Sequence, residues 1–397
     1  MAIVKKSSAL SLTLDRILKL VKFNKDAFFK GRKVMPVLIV GAPGIGKSFG
    51  FAEFAKSEGM EFHEVHLDNM AKEDVGGMPV PCGMDTDHPI LTYAPNKMFV
   101  FHDPEPGKKH LLLLDELTSC EEGLQLQAMQ LVLNRAINGH PIPDNVYIVA
   151  AGNRSCDRTQ THPLIAPLAN RFAHYEVRND PEKWCTWGRK HGVHPKVVAF
   201  IAAFPQWLHA MDEDDQASVT GGKVHDKTFY AGPWNSNRTV VAASEAIWEL
   251  EDNGEVSKED LFDVVAGVCG EAFAHAFSEF YDLAGEYDNV REVMLDDTKT
   301  VSIPQKADKM CAFSSALVFN LWRADNDAEQ EKLVQGFYRI MNAPGMVASF
   351  ANKIMTESLE GSVKIDTTAA ARILVDNHVP EFQVWQKKYG KDSRSKV

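Results

Sequence analysis

Short apolar runs alternate with amphipathic segments along the first 180 residues. The runs are rich in β-branched residues and leucine, and the segments between them carry apolar residues at three- and four-residue spacing. This alternation is typical of parallel strands joined by helices, so the pattern predicts an α/β fold with a doubly wound sheet. The predicted strands are Val37–Val40, Glu61–Leu67, His110–Leu114, Val146–Ala151 and Phe172–Val177.

Three helices are predicted around these strands, together with one irregular segment. Leu10–Phe29 has a helical apolar stripe, a second helix runs from Ser48 towards Gly59, and a third covers Glu121–Asn138. The segment Asp68–Lys109 is rich in proline and glycine. A segment of this length between two core strands is more often functional than structureless, and we expect it to hold a short helix and a hairpin.

After about Asn179 the pattern changes to helices without convincing strands. Two stretches interrupt them: Asp212–Pro233 is polar and predicted to be a loop, and Glu286–Pro304 is acidic and predicted to be extended. The predicted helices are Pro181–His191, Pro195–Met211, Thr239–Glu251, Lys258–Ala284, Ala307–Ala324, Glu329–Met341 and Gly345–Ser358.

Composition narrows the class of protein. Hydrophobic residues make up 45% of the 397 residues, yet no run is long and apolar enough for a membrane span or a secretory signal. The net charge of −11 argues against bulk attraction to nucleic acid without excluding a local basic groove. The six cysteines form no C-x-x-C pair, so we expect reduced thiols in a cytoplasmic protein. His63, His66 and His102 match no standard metal-ligand spacing, so the sequence gives no reason to place a metal there.

The segment after the first predicted core strand reads G-x-x-x-x-G-K-S. It comprises Gly41, Ala42, Pro43, Gly44, Ile45, Gly46, Lys47 and Ser48. Its glycines let successive backbone N–H groups point into one cavity at a helix N-terminus, where phosphates bind. Lys47 is placed to reach the β- and γ-phosphates of a nucleotide, and the Ser48 hydroxyl to ligate Mg²⁺. The pattern therefore predicts a Walker A loop that binds a nucleoside triphosphate with Mg²⁺. The alternative is a chance glycine-rich turn between a strand and a helix.

Two carboxylates, Asp115 and Glu116, end the strand His110–Leu114. This is a Walker B pattern, in which Asp115 holds Mg²⁺ and Glu116 orients and polarises the attacking water. The alternative is that two acids merely end a strand and cap the next helix.

Three further side chains are candidates for the same site. Asn153 follows the strand Val146–Ala151 at the carboxyl end of the sheet, where it can bond the γ-phosphate or the water, although asparagine there is often a turn residue. Arg171 precedes the last core strand and is either an arginine finger supplied to a neighbouring subunit or a salt-bridged surface residue. Arg238 opens an apolar helix, where a cation is not favoured by the helix dipole, and it either reaches the nucleotide or has no such role.

Taken together, these motifs resemble those of AAA+ ATPases, and within them the MoxR-like family. The resemblance covers roughly residues 35–251. It implies an arginine finger at Arg171, sensor 1 at Asn153 and sensor 2 at Arg238, although the family usually has proline directly before the last arginine, where this chain has Asn237. The quoted segments are Gly41–Ser48, Leu111–Glu116, Val149–Arg154 with Asp157, Leu168–Phe172, Trp184–Trp187 and Pro195–Ile201.

The resemblance also implies a domain order and a role. It implies an AAA+ nucleotide-binding domain (31–180) and a helical lid (181–288). The apolar pattern alone predicts an N-terminal helix (1–30) and a C-terminal helical extension (289–397), which the resemblance does not cover. The resemblance implies a homo-oligomeric, hexameric ring that remodels or chaperones a protein client, such as a partner with a von Willebrand A domain. Two alternatives remain. The first is a nucleic-acid motor or loader, which the negative net charge of the chain disfavours. The second is a nucleotide-gated scaffold with little turnover, which the presence of Glu116 and Arg171 disfavours.

Overall fold

The chain forms two compact units, residues 1–179 and 180–397, in a computed structural model. The structure describes residues 9–85, 88–99, 107–154, 157, 162–210, 232–254 and 256–390. Most of the predicted loop Asp212–Pro233 and the end of the basic C-terminal tail lie outside these ranges. No helix within the described ranges combines the length and apolar character that crossing a membrane requires.

The first unit alternates strands and helices, as its sequence pattern predicts. Its elements are β1 (Leu10–Thr13), α1 (Leu14–Phe29), β2 (Val37–Val40), α2 (Lys47–Ser57), β3 (Glu61–His66), α3 (Lys72–Gly76), β4 (Met78–Cys82), β5 (Ile90–Ala94), β6 (His110–Asp115), α4 (Glu122–Asn134), β7 (Ala136–Ile137), β8 (His140–Pro141), β9 (Val146–Gly152), α5 (Ala166–Ala169) and β10 (Ala173–Arg178).

Six of these strands form one parallel sheet in the order β1-β10-β2-β9-β6-β3. Strand β2 lies between β10 and β9, so the loop that follows it opens at the middle of the sheet. Strands β4 and β5 form a separate antiparallel hairpin after the short helix α3. The doubly wound α/β fold is therefore confirmed, and the irregular segment holds the expected helix and hairpin.

Alternating residues of the central strands build two cores, one on each face of the sheet. Leu112 and Leu114 pack with α4 residues such as Leu131. Leu111 and Leu113 pack on the opposite face with residues of α1 and α2. Burial on both faces explains why these strands read as continuous apolar runs.

The helix predicted from Leu10 begins later than expected. Residues Leu10–Thr13 form β1 and pair with β10 in parallel, with Leu10 opposite Tyr175. The helix α1 starts only at Leu14, and its Ile17 is buried in the core. Residues 10–29 therefore belong to the first unit, where the sequence predicted a separate N-terminal helix.

The second unit contains helices and no strand within its described residues. The helices are α6 (Pro181–Lys190), α7 (Pro195–Ala203), α8 (Asn237–Asp252), α9 (Lys258–Cys269), α10 (Glu271–Gly285), α11 (Val290–Leu295), α12 (Ala307–Leu321), α13 (Asp327–Met341), α14 (Ala348–Leu359), α15 (Thr367–Ala371) and α16 (Val379–Tyr389).

Three predicted segments of this unit differ from the structure. The helix predicted over Pro195–Met211 ends at Ala203, because Pro205 follows and disfavours its continuation. The single helix predicted over Lys258–Ala284 breaks at Gly270, whose φ of 91° only glycine adopts readily and where a Cβ would lie 2.8 Å from the Pro233 carbonyl oxygen. The stretch predicted to be extended, Glu286–Pro304, contains α11. One hydrophobic core runs through the whole unit, so the boundary predicted at 288–289 falls inside it.

Candidate functional site

The glycine-rich loop connects β2 to α2 at the carboxyl end of the sheet. Gly44 and Gly46 have φ values of 79° and 100°, which place them in the left-handed region. A Cβ at Gly41 would lie 3.1 Å from that of Val177, so this position also needs a small residue. The backbone therefore curls around the first turn of α2 and can present its N–H groups to an anion.

Lys47 is buried at the base of this loop, with 7% of its surface exposed. Its Nζ donates hydrogen bonds to the carbonyl oxygens of Gly41 (2.9 Å) and Ala42 (3.3 Å) and to Asn153 Oδ1 (2.8 Å). Oxygen atoms of this chain thus hold the ammonium in place.

Ser48 and Asp115 meet across the gap between α2 and β6. The Ser48 hydroxyl donates a hydrogen bond to Asp115 Oδ2, and Asp115 Oδ1 accepts one from the backbone N–H of Glu116 at 2.8 Å. Asp115 is 4% exposed. A hydroxyl and a carboxylate side by side are the hard oxygen donors that Mg²⁺ prefers, so the residues fit the predicted metal.

A further carboxylate, Glu64, lies beside this pair and was missed by the sequence reasoning. The parallel register places His66 of β3 opposite Asp115, and the side chains of Glu64, His66 and Asp115 offer ligand atoms within 4.8 Å of one another. Burial raises the pKa of Glu64, and the neighbouring Asp115 carboxylate raises it further. Only strand pairing brings Glu64 here, because 51 residues separate it from Asp115 in the sequence.

Glu116 is held in a strained but well-bonded position. Its φ of 56° lies in the left-handed region, which is uncommon for a residue with a side chain. Its Oε2 accepts hydrogen bonds from the Ser119 hydroxyl (2.7 Å) and from Asn153 Nδ2 (2.7 Å). Strain of this kind persists only where neighbouring contacts hold it, and it clusters at functional sites.

Thr118 fixes the backbone of Asn153 and was also missed from the sequence. Its Oγ1 accepts a hydrogen bond from the Asn153 N–H (2.8 Å) and donates one to the Asn153 carbonyl oxygen (3.1 Å). A Cβ at the preceding Gly152 would lie 2.5 Å from Thr118 Oγ1, so glycine is required for this close approach. No spacing rule in the sequence signals the contact, because it joins the ends of two different strands.

The end of β9 is tied to β10 by a buried ion pair. Arg154 Nη2 lies 2.8 Å from Asp157 Oδ1, and Arg154 Nη1 lies 3.6 Å from Glu176 Oε1. The Asp157 side chain is fully buried. This pair braces the segment that carries Asn153.

Arg171 lies between α5 and β10. Its backbone N–H donates to the Leu168 carbonyl oxygen at 3.0 Å, while its guanidinium makes no hydrogen bond or ion pair with the residues that the structure describes. The salt-bridged alternative therefore finds no partner in that part of the chain. The role of Arg171 towards a neighbouring subunit remains a prediction.

Arg238 belongs to the second unit and is exposed in the first turn of α8. That helix begins with a capping box, in which the Ser236 hydroxyl accepts from the Thr239 N–H and Thr239 bonds back to the Ser236 N–H. The start of the helix is thus well defined, and the role of Arg238 towards nucleotide stays a prediction.

The second unit holds a cavity of about 600 Å³ lined by Glu251 and several aromatic rings. Burial raises the pKa of Glu251, but bonds from His194 Nε2 (3.1 Å) and the Tyr281 hydroxyl (2.5 Å), with the charge of Lys196, lower it to about 2. Trp248 packs edge-on against His194. The carboxylate is thus kept ionised inside the helical core.

Comparison with known proteins gives limited similarity. No family model matches the sequence, and no curated protein is significantly similar to it. Among solved structures, it is similar to a mutant of Thermotoga maritima RuvB, at 13% identity over 80% of this chain and 91% of that chain, with a TM-score of 0.37. It is also similar to the T. maritima RuvB Holliday junction branch migration motor (13% identity, 79% and 89% covered, TM-score 0.33) and to a proposed ATPase from Cytophaga hutchinsonii (14%, 64% and 82%, TM-score 0.31). Likenesses of this size assign no activity.

Proposed function

We propose that this chain is a Mg²⁺-dependent ATPase of the AAA+ type. The observation that carries the proposal is the Asn153 side chain, which accepts a hydrogen bond from Lys47 and donates one to Glu116. One amide thus connects the predicted phosphate-binding lysine to the predicted general base. A chance glycine-rich turn would not explain this connection.

The residues of the site divide the chemistry among them. The N–H groups of the loop and the Lys47 ammonium bind and orient phosphate oxygens. Ser48 and Asp115 would hold Mg²⁺, which when bound neutralises the charge that develops on the phosphates. Glu116 accepts a proton from the attacking water, and the hydrogen bond from Asn153 orients the Glu116 carboxylate.

Assembly and client form the finer part of the proposal. The Arg171 guanidinium, with no partner in the described residues, supports a role as a finger in the site of a neighbouring subunit, and a hexameric ring is the expected assembly. Arg238 would sense the nucleotide from the helical unit. By its resemblance to MoxR-like ATPases, the ring would remodel or chaperone a protein client, with a von Willebrand A domain protein as one candidate partner. The five described cysteines are all free thiols, which supports a reducing compartment such as the cytoplasm.

A turnover assay tests the enzymatic proposal. The full chain with ATP and Mg²⁺ should release phosphate, and Glu116→Gln should lower kcat by at least about 100-fold because it removes the general base. ATP binding should persist in the variant, since Lys47 and the loop are intact. Turnover no higher than that of Glu116→Gln at every protein concentration would refute the ATPase and leave the nucleotide-gated scaffold.

A further inference from the structure

A cluster of two histidines and one glutamate lies at the amino ends of β3 and β6. Glu61 and His63 are two residues apart on β3, so their side chains leave the same face of the sheet. The parallel register places His110, the first residue of β6, opposite Glu61. All three side chains therefore share one face by strand geometry alone.

The ligand atoms of this cluster are close enough to share one ion. His63 Nε2 lies 3.0 Å from His110 Nδ1 and 3.9 Å from Glu61 Oε1, and His110 Nδ1 lies 3.7 Å from Glu61 Oε2. Ligands of a tetrahedral Zn²⁺ at about 2.0–2.2 Å from the metal stand about 3.3 Å from each other. Shifts of a few tenths of an ångström would bring these three atoms into that arrangement.

The Glu61 carboxylate has one oxygen on the side of the histidine pair. Lys108 Nζ lies 2.9 Å from Glu61 Oε2 and leaves Oε1 towards His63.

We propose that Glu61, His63 and His110 bind a transition-metal dication of the Zn²⁺ class. Two imidazoles and a carboxylate are a donor set that such ions favour over Mg²⁺ or Ca²⁺. The side chains of Glu61 and His63 are 43% and 30% exposed, so solvent can supply the remaining ligand. The competing explanation is a plain hydrogen bond between the two rings.

The proposed metal would act on the sheet rather than on the nucleotide. His110 begins β6 and Asp115 ends it, which puts the two sites about 16 Å apart along the strand. Among the described residues, strand β3 lies at an edge of the sheet and pairs with β6 alone. A metal that joins Glu61 and His63 to His110 would clamp this edge strand, whatever the activity of the phosphate site.

Zinc titration of the nucleotide-free, chelator-treated full chain tests the proposal. Calorimetry should show that the wild type binds one equivalent of Zn²⁺. The His63→Ala substitution should weaken the affinity for this ion by at least about 100-fold, because one of three protein ligands is lost. Glu61→Gln, at a side chain that is 43% exposed, should also weaken the binding of this equivalent. The matched control is His66→Ala on the same strand, which should leave that equivalent unchanged. Co²⁺ in place of Zn²⁺ should give the visible absorption of a four-coordinate site in the wild type and not in His63→Ala.

Three outcomes would overturn the inference. The wild type could bind no Zn²⁺ with a Kd below the order of 10 µM, which would leave the histidine pair as a hydrogen bond. His63→Ala and Glu61→Gln could both bind zinc as the wild type does. Alternatively, His66→Ala alone could remove the equivalent, which would place the ion at Glu64, His66 and Asp115.

Discussion

The Asn153 side chain donates a hydrogen bond from Nδ2 to Glu116 Oε2 over 2.7 Å. The same amide accepts a hydrogen bond from Lys47, which fixes which way it points. Asn153 therefore has no freedom to turn without breaking one of the two bonds. The predicted base and the predicted phosphate ligand are positioned by one side chain.

Removing this amide should slow turnover more than it weakens nucleotide binding. Asn153→Ala should lower kcat about 10- to 100-fold with little change in KM, because it misaligns the base and leaves the loop intact. Steady-state phosphate release measures both constants. Asn253→Ala, which alters an exposed amide in the second unit, is the matched control and should behave as wild type. An equal loss in both asparagine variants would contradict the positioning role.

Replacing the amide by a carboxylate should also slow turnover. Asn153→Asp keeps the size of the side chain and an acceptor for Lys47, but it replaces the Nδ2 donor by an oxygen that repels the Glu116 carboxylate. The kcat for phosphate release should therefore fall at least as far as in Asn153→Ala, while ATP binding persists. A wild-type kcat in Asn153→Asp would show that the Nδ2 donor does not position Glu116.

The Thr118 hydroxyl should stabilise the first unit. Thr118→Val keeps the shape of the side chain but leaves the Asn153 N–H and carbonyl without this partner, at a cost of about 1–3 kcal/mol. Thr118→Ser keeps the hydroxyl and should lose less. Thermal denaturation of the two variants measures the difference, and equal melting temperatures would mean that the hydroxyl contributes nothing.

Arg171 should act across a subunit boundary. Arg171→Ala should lower turnover by about 10³-fold while ATP binding persists, as expected for an arginine finger. Mixing it with Lys47→Ala subunits should restore activity, because a pocket with intact Lys47 then faces a neighbour with intact Arg171. Arg16→Ala, an exposed arginine of α1, is the control for loss of charge. No recovery in verified mixed assemblies would count against the role in trans.

The hydrolysis-blocked form should hold its client. In ATP, Glu116→Gln should retain a protein partner through a pull-down, since the nucleotide-bound state cannot turn over. Lys47→Ala, which loses the phosphate ligand, should not. Retention of nucleic acid in place of protein would favour the motor or loader alternative.

Acid should destabilise the second unit through Glu251. The pKa of this carboxyl is lowered to about 2 in the fold, whereas an unfolded glutamate titrates near 4.3. Its contribution, of the order of 1–2 kcal/mol, is therefore full above about pH 4.5 and is lost as the pH falls towards 2. Glu251→Gln should unfold more easily at pH 7 and should lose part of the acid sensitivity. Glu249→Gln, exposed on the same helix, should keep the acid sensitivity of the wild type.

Sequence reasoning failed where contacts are non-local. Leu10–Thr13 has a pattern that fits a helix start as well as a strand, and only the edge of β10 selected the strand. Thr118 and Glu64 carry no motif of their own. Each meets its partner because two strands end at the same level, which no spacing along the chain reveals.

The sequence by itself determined the glycine-rich loop, the parallel strands around it and the carboxylates at the end of β6. These follow from local chemistry: glycine permits positive φ, apolar runs must be buried, and residues at a strand end emerge at the sheet edge. Only the tertiary structure decided that Asn153 links Lys47 to Glu116 and that His63 meets His110. Both depend on the register between strands far apart in the chain, and a shift of one residue would turn each side chain to the other face.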